Sequence, residues 1–348
     1  MVKAAAFAVP GDIATPTGGY AYDRRIIAEL GVVGWRAEVL GLGEGFPFPS
    51  AETRAMAGAR LAALPRQHPI VVDGLAFGAL PEAAAALRAS HRLIALVHHP
   101  LALETGLSAT DCAALRMSER SALACARHVI ATSTTSARLL AADYGIPSDR
   151  LSVVQPGTDR VAARVRENAG EVVLLAVGAV IPRKGYDVLV AALARLARLR
   201  WRLVIAGDGG RSPETLRGLE AEIAAFDLAD RITLLGAVSS EQLASIYQRC
   251  DLFVLPSRFE GYGMVFAEAI AHGLPVVGTT AGAIPETVPD AAGVLVPPDD
   301  VETLAAALRR LIEDPAERER LAAAARAARF PSWREQAVAF ARLLENAA

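Results

Sequence analysis

Apolar positions along the chain fall into two kinds of run. Strand-length runs such as "AAAFAV", "RAEVLGLG", "PIVVDGLA", "RLIALVHH" and "HVIATS" accompany longer stretches of helical spacing such as "AYDRRIIAELGVVG". The alternation returns in the second half with "EVVLLAVGAV", "YDVLVAALARLARL", "WRLVIAGDG", "RITLLGAV", "SEQLASIYQRC", "DLFVLPS", "MVFAEAIAHG" and "PVVGTT". Continuous Val, Ile and Leu runs bounded by Gly or Pro describe strands covered on both faces. Their alternation with helices predicts an α/β chain with parallel sheets and right-handed crossovers.

At 348 residues the chain exceeds one ordinary core and suits two domains. The stretch "PGTDRVAARVRENAGE", Pro156 to Glu171, is polar and lacks a sustained apolar period, so it reads as a linker. The expected division is a domain over 1–160, a second over 161–330, and a terminal helix over 331–348. In "WREQAVAFARLL", apolar residues at Val338, Phe340, Leu343 and Leu344 predict that this helix is packed.

Composition changes this picture little. Hydrophobic residues make up 53% and mean hydropathy is +0.31, but alanine-rich helices such as "AAAARAAR" raise both values. The longest apolar run, Val172 to Ile181, has ten residues, about half of a bilayer span. The opening "MVKAAAFAVPGD" reaches Pro10 and Gly11 before a signal-peptide core can develop, so a first strand and a cytoplasmic location are expected. Cys112, Cys125 and Cys250 lie far apart, which points to inert buried thiols rather than disulfides or a zinc site. A net charge of −2 offers no footprint for nucleic acid, and a small-molecule partner is expected. Arg24 and Arg25 are too few to argue for a membrane surface, although peripheral membrane contact stays open.

In open parallel sheets ligands bind beyond the carboxyl ends of the strands, so the loops after each strand carry the candidate chemistry. "EVVLLAVGAV" runs into "IPRKGYD", placing Arg183 and Lys184 before a helix N-terminus, where a diphosphate could be held. The alternative is a solvated surface pair. "RLVIA" ends in Gly207-Asp208-Gly209-Gly210, a sharp turn that is not GxGxxG. "DLFVL" ends in "PSRFEGYG", which sets Glu260 and the amides of Gly261 to Val265 at the same rim. Glu260 could equally be an exposed carboxylate favoured by the helix dipole, by roughly 0.3–1 kcal/mol, and Glu268 a solvated helix position. If Gly263 starts the helix, the two glutamates are separated by up to roughly 12 Å, about the span from a hexose to a ribose across a diphosphate.

Taken together, "VGAVIPRKGYDVLVAAL", "LVIAGDGG", "ITLLGAVSSEQLASIY", "CDLFVLPSRFEGYGMVFAEAIAHGLPVVGTTAGAIPETV" and "GVLVPPDD" resemble the C-terminal domain of family 4 glycosyltransferases, a retaining family with the GT-B fold. The match spans roughly residues 172 to 300 in order, spacing and strand context. The resemblance implies two Rossmann-like domains whose parallel sheets face a central cleft, with the terminal helix returning to the first domain. It implies that Glu268 binds the ribose hydroxyls and Glu260 the donor sugar. Lys184 would neutralise the diphosphate with Arg183 and the amides of Gly263, Met264 and Val265. Gly207, Gly209, Val238, Gly261 and Tyr262 fall within the same nucleotide-sugar segments.

The first half matches more loosely. "TPTGGY" places Gly18 and Gly19 after the first strand, where the family uses a glycine loop near the phosphates and the acceptor. "LIALVHHP" sets His98 and His99 at a strand end, where the family often carries a histidine near the anomeric centre; His98 is favoured, and a capped or core-satisfied ring is the alternative for either. Ala179 departs from the pattern, since many members carry arginine there, and Arg183 is the candidate substitute. The implied activity is retaining hexosyl transfer from a nucleoside-diphosphate sugar, UDP favoured, to a sugar, lipid-linked or small-molecule acceptor. His98, Lys184 and Glu260 would be the catalytic residues, with no metal and no further cofactor. A nucleotide-sugar-binding protein of impaired catalysis is the alternative that Ala179 motivates. An NAD oxidoreductase lacks its sign, because no strand runs into GxGxxG with an acidic residue about 20 positions on.

Overall fold

In the computed structural model, residues 3–159, 161 and 170–346 are described; residues 160 and 162–169 of the expected linker lie outside them. The chain divides into two compact units, one of Met1–Gly157 with Pro331–Ala348 and one of Thr158–Phe330. Each is a parallel six-stranded sheet with flanking helices.

The first unit contains β1 (Lys3–Val9), β2 (Trp35–Gly41), β3 (Pro69–Asp73), β4 (Arg92–Val97), β5 (His128–Ala131) and β6 (Leu151–Val153) in the order β2-β1-β3-β4-β5-β6. All five residues of β3 are buried, as expected of a strand covered on both faces, whereas β2 at the edge buries only Trp35. Its N-terminal helix, Gly18–Val32, is capped by Thr17, whose side chain accepts from the Tyr20 amide. The terminal helix Trp333–Asn346 buries Trp333, Ala337, Phe340, Ala341 and Leu344, and Phe340 stacks on Phe7 of β1 at 5.8 Å. Val338 and Leu343, expected on the buried face, sit half-buried on its flank.

The second unit contains β7 (Val172–Val177), β8 (Trp201–Ala206), β9 (Ile232–Leu234), β10 (Leu252–Val254), β11 (Val276–Thr279) and β12 (Gly293–Val296), ordered β12-β11-β10-β7-β8-β9. Its core gathers Trp201, Tyr186, Tyr247, Phe253 and Phe266, and the indole N–H of Trp201 is satisfied by Leu196 O at 2.8 Å.

Helices Ala51–Ala62 and Ala109–Cys125 carry no clear apolar stripe, because their buried faces are formed by small residues and few leucines: Ala57 and Leu61 in one, Leu115, Ala122 and Leu123 in the other. One expectation changes. Of the three thiols only Cys250 is buried; Cys112 and Cys125 lie half-buried on Ala109–Cys125, whose packed face belongs to other positions.

That helix also buries Glu119. Its Oε2 accepts the Leu101 amide at 3.0 Å and so secures the turn after His98 and His99. Its Oε1 has no hydrogen-bond partner. Burial pushes this carboxyl from 4.5 up to about 7, against the opposing hydrogen bonds from Leu101 and Tyr144. The folded state therefore binds the proton more tightly than the unfolded state, and stability falls as pH rises from about 4.5 to 7. Glu119→Gln should remove a penalty on the order of 3 kcal/mol at pH 8 and little at pH 4.5. Melting temperatures of the two proteins across that range check it; a gain that is the same at both pH values would place the effect elsewhere.

Candidate functional site

In the second sheet β7 and β10 are neighbours whose onward connections run to opposite sides, β7 to β8 and β10 to β11, and such a switch point is where open α/β sheets bind ligands beyond the strands' carboxyl ends. The two loops that meet there are Gly178–Gly185, after β7, and Leu255–Gly263, after β10. They bring together Arg183, Lys184 and Glu260.

Glu260 is buried. Its Oε1 accepts from Lys184 Nζ at 2.6 Å and from Ser257 Oγ at 2.7 Å, and its Oε2 lies 3.4 Å from an Arg183 guanidinium nitrogen. Burial alone would raise the carboxyl's pKa; the charges of Lys184 and Arg183, with the hydrogen bonds from Lys184 and Ser257, outweigh it and hold the group below its ordinary value. Glu260 is thus an ionised, paired carboxylate, and the exposed dipole-stabilised alternative does not hold. Lys184 is itself 9% exposed, which excludes the solvated surface pair. Arg183 also donates to Phe259 O at 2.9 Å, so its guanidinium braces the Glu260 loop from the other side.

Glycines set the close approaches. Lys184 lies along Gly178, where a Cβ would come within 3.0 Å of the lysine Cε. A Cβ on Gly207 would fall 1.8 Å from Gly178 O, so the ends of β7 and β8 meet backbone to backbone. Gly209 packs under Leu216, and Val238 lies half-buried ahead of helix Ser240–Arg249. Ala179, where arginine was expected, leaves the turn to backbone bonds, with Val180 N donating to Asp208 O at 2.8 Å.

Gly263 takes a left-handed conformation at φ 89° as the cap of helix Met264–Ala271 and brings no capping side chain. The Met264 and Val265 amides of the first turn have no intrahelical acceptor and favour an anion. Gly261 is half-buried beside them, and Tyr262 is buried, its carbonyl accepting from Thr287 Oγ1 at 2.5 Å. Glu268, in the second turn, receives the Tyr247 hydroxyl at 3.3 Å. Tyr247 stacks on His272 at 4.5 Å, and His272 Nδ1 lies 2.8 Å from Glu268 O. Sequence reasoning passed over Ser257 and Tyr247, although both stand inside the segments that carried the resemblance.

The first unit assembles a second cluster of its own. The order β2-β1-β3 puts its switch point between β1 and β3, with β4 next. Here His98, after β4, turns Nε2 toward Asp23 Oδ1 at 3.1 Å and Asp73 Oδ2 at 3.7 Å. A Cβ on Gly19 would come 3.0 Å from the His98 ring, so any side chain there would crowd the imidazole; Gly18 faces open space. His99 Nε2 instead lies 3.5 Å from Glu104. Asp23 and Asp73 were not singled out, though Asp73 ends a strand, which is where such residues were sought. With His98 they offer three ligand atoms within 4.8 Å of one another, so among the described residues this is a set that could hold a cation.

Residues 3–157 match the Glycosyl transferase 4-like domain and residues 158–328 match Glycosyl transferases group 1. The chain belongs to this group 1, family 4-like class of glycosyltransferases, built on the GT-B fold. Over 226 residues it is 38% identical to the D-inositol 3-phosphate glycosyltransferase of Geodermatophilus obscurus, across 60% of this chain and 50% of that protein. It is 36% identical over 162 residues to a GDP-mannose-dependent monoacylated alpha-(1-6)-phosphatidylinositol monomannoside mannosyltransferase of Corynebacterium glutamicum, across 44% of this chain and 41% of that protein. The chain spans about half the length of the curated relatives it matches. Sucrose-phosphate synthase of Thermosynechococcus elongatus superposes with a TM-score of 0.82 at 22% identity, covering 98% of both chains. Anabaena HepE, in complex with UDP and glucose, gives 0.79 at 20% identity over 98% of this chain and 100% of the other. No helix of the described residues is long and apolar enough to cross a membrane.

Proposed function

We propose that the protein is a retaining hexosyltransferase that uses a nucleoside-diphosphate sugar, UDP-sugar first among them, and needs no metal. The observation that carries this is the buried Lys184–Glu260–Arg183 cluster beside an uncapped helix N-terminus at the sheet's switch point. A leaving diphosphate gains negative charge as the glycosidic bond breaks. Lys184, Arg183 and the Met264 and Val265 amides are positioned to stabilise that charge, and they act without reorganising. Glu260, kept ionised by the same cations, accepts hydroxyls of the donor sugar; Glu268, oriented by Tyr247, accepts those of the ribose. His98 contacts the reacting sugar. The acceptor hydroxyl attacks on the face the diphosphate leaves from, and a diphosphate oxygen takes its proton, so configuration is kept. The acceptor is a sugar, a lipid-linked sugar or a small polyol, and the reaction belongs in the cytoplasm.

Thermal-shift screening with UDP, GDP, ADP and NAD, then with the matching sugar nucleotides, tests the reading. A ligand at 100 times its dissociation constant adds about 2.7 kcal/mol, or several degrees. NAD alone shifting the transition would sink it. Slow hydrolysis of a sugar nucleotide without acceptor separates an enzyme from a binding protein of impaired catalysis.

His98→Ala should reduce turnover more than nucleotide affinity, because a contact made as charge develops is worth most in the transition state. Proton NMR of the first-formed product from a gluco-configured donor should show the donor's anomeric coupling. An inverted product would falsify the retaining mechanism; unchanged turnover in the variant would remove only the histidine.

A further inference from the structure

Resting on the proposed function, we infer that Arg258 is a positioning residue for the leaving-group site. Its guanidinium ties the Pro182–Lys184 turn, helix Tyr186–Ala194 and the loop after β12 together, and so fixes Arg183 and Lys184 where the diphosphate departs.

Three observations carry it. The first is the reach of one side chain. Arg258 stands in the loop after β10, two residues before Glu260, and engages four of its five N–H groups. Nη1 donates to Pro182 O and to Asp187 Oδ1, the latter at 3.1 Å; Nη2 donates to Asp187 Oδ2 at 2.6 Å and Nε to Asp299 Oδ1 at 2.7 Å. The pair with Asp187 is bidentate, an arrangement that fixes direction as well as distance. A fork so engaged acts through the groups it holds.

The second is an exchange of partners between the loops after β7 and β10. Arg258 N donates to Arg183 O at 2.8 Å, while the Arg183 guanidinium donates to Phe259 O at 2.9 Å. A Cβ on Gly185 would fall 2.2 Å from Pro256 O, so the two loops also meet backbone to backbone. Lys184 lies inside these ties. Its turn is three residues long and has no side-chain cap, so its tertiary partners decide where it stands.

The third is the backbone at Asp299. This residue has φ 60°, a left-handed conformation uncommon outside glycine. Its carboxylate meets Arg258 Nε, and the next residue, Asp300, caps helix Val301–Glu313 by accepting the Thr303 amide at 2.9 Å. The chain is thus bent at the residue that pairs with Arg258.

Fixed charge stabilises a departing diphosphate only while it stays in place, and a displacement of about 1 Å can cost about a hundredfold in rate. Lysine at this position would keep the charge and lose the planar fork, which separates a strut from a mere field.

The test compares Arg258→Lys and Arg258→Ala with the parent, using whichever of UDP-glucose, GDP-mannose and ADP-glucose the parent consumes. Both variants should lower kcat at least about tenfold, with lysine rescuing little of the loss. Parental kcat in Arg258→Lys overturns the proposal, since charge alone would then suffice. In a Lys184→Ala background, Arg258→Ala should cost much less than it does in the parent, because one group it positions is gone; losses that multiply overturn the proposal. Deuterium exchange on the full chain without substrate reads the positioning itself. The Lys184 and Gly185 amides, which close the turn on Ile181 O and Pro182 O, should exchange at least about tenfold faster in Arg258→Lys, with β8 at the parent's rate. Unchanged exchange in the turn overturns the proposal, and so does a rise throughout the unit, which would make Arg258 a general support of the fold. Should Arg258→Ala fail to fold, Arg258→Lys and Asp299→Asn, which removes one charged partner of the fork, must show the same two changes or the proposal falls. A parent that consumes none of the donors defeats the proposed function, and the exchange measurement then still decides whether Arg258 holds the turn.

Discussion

Lys184→Ala should lower turnover of the sugar nucleotide at least tenfold, a loss of about 1.4 kcal/mol in transition-state stabilisation. The ammonium sits 2.6 Å from Glu260 in a buried site, where charge interactions are screened far less than at the surface. In the proposed reaction the departing diphosphate would bring its negative charge to this cation and to Arg183. The ground state does not gain equally, because Glu260 already claims much of the lysine's field; the benefit grows as charge moves onto the leaving oxygen. The variant leaves Glu260 buried with Arg183 at 3.4 Å as its ion-pair partner, so a lower melting temperature accompanies the loss. Assays run well below that temperature separate the two effects. EDTA should leave turnover of the parent unchanged. Abolition by EDTA with recovery in magnesium would show that a metal carries the charge instead.

The glutamates should part company. Glu268→Ala should weaken binding of the free nucleotide itself, by roughly 1.5–3 kcal/mol if one charge-assisted hydrogen bond to the ribose is lost. Glu260 variants should bind free nucleotide at least as well as the parent and turn over the sugar nucleotide poorly. Removing Glu260 releases Lys184 and Arg183 from their partner, which favours a diphosphate and removes the acceptor for the sugar. Glu260→Gln is the cleaner substitution, because alanine would also leave two buried cations and a cavity beside Ser257. Calorimetric titration with the nucleotide and steady-state turnover decide it; equal nucleotide affinities in the parent and both variants would sink the assignment of the two residues to opposite ends of one ligand.

Much of the architecture was legible because buried parallel strands are short, apolar and punctuated. "PIVVDGLA" and "WRLVIAGDG" announce their own ends: β3 stops at Asp73 and β8 just before Gly207. Helix Ala51–Ala62 was less legible, since alanines on both faces blur the 3.6-residue period. The thiols of Cys112 and Cys125 illustrate the same limit: residue type suggests burial, but helix rotation decides it.

The site was legible as a set of positions and illegible as a set of partners. Arg183, Lys184, Glu260 and Glu268 could be named from strand context and family resemblance. That Lys184 and Glu260 touch could not, because they are 76 residues apart and meet only where β7 and β10 lie side by side. The same holds for Asp23 and His98, separated by 75 residues and joined through β1, β3 and β4.

Local periodicity, with Gly and Pro at the breaks, was enough to read the alternation of strands and helices, the parallel sheets and the loops in which the chemistry was sought. Only the packed structure shows which charges are buried and which of them are paired. Those properties depend on desolvation and on distances between residues remote in the chain, and no local pattern encodes either.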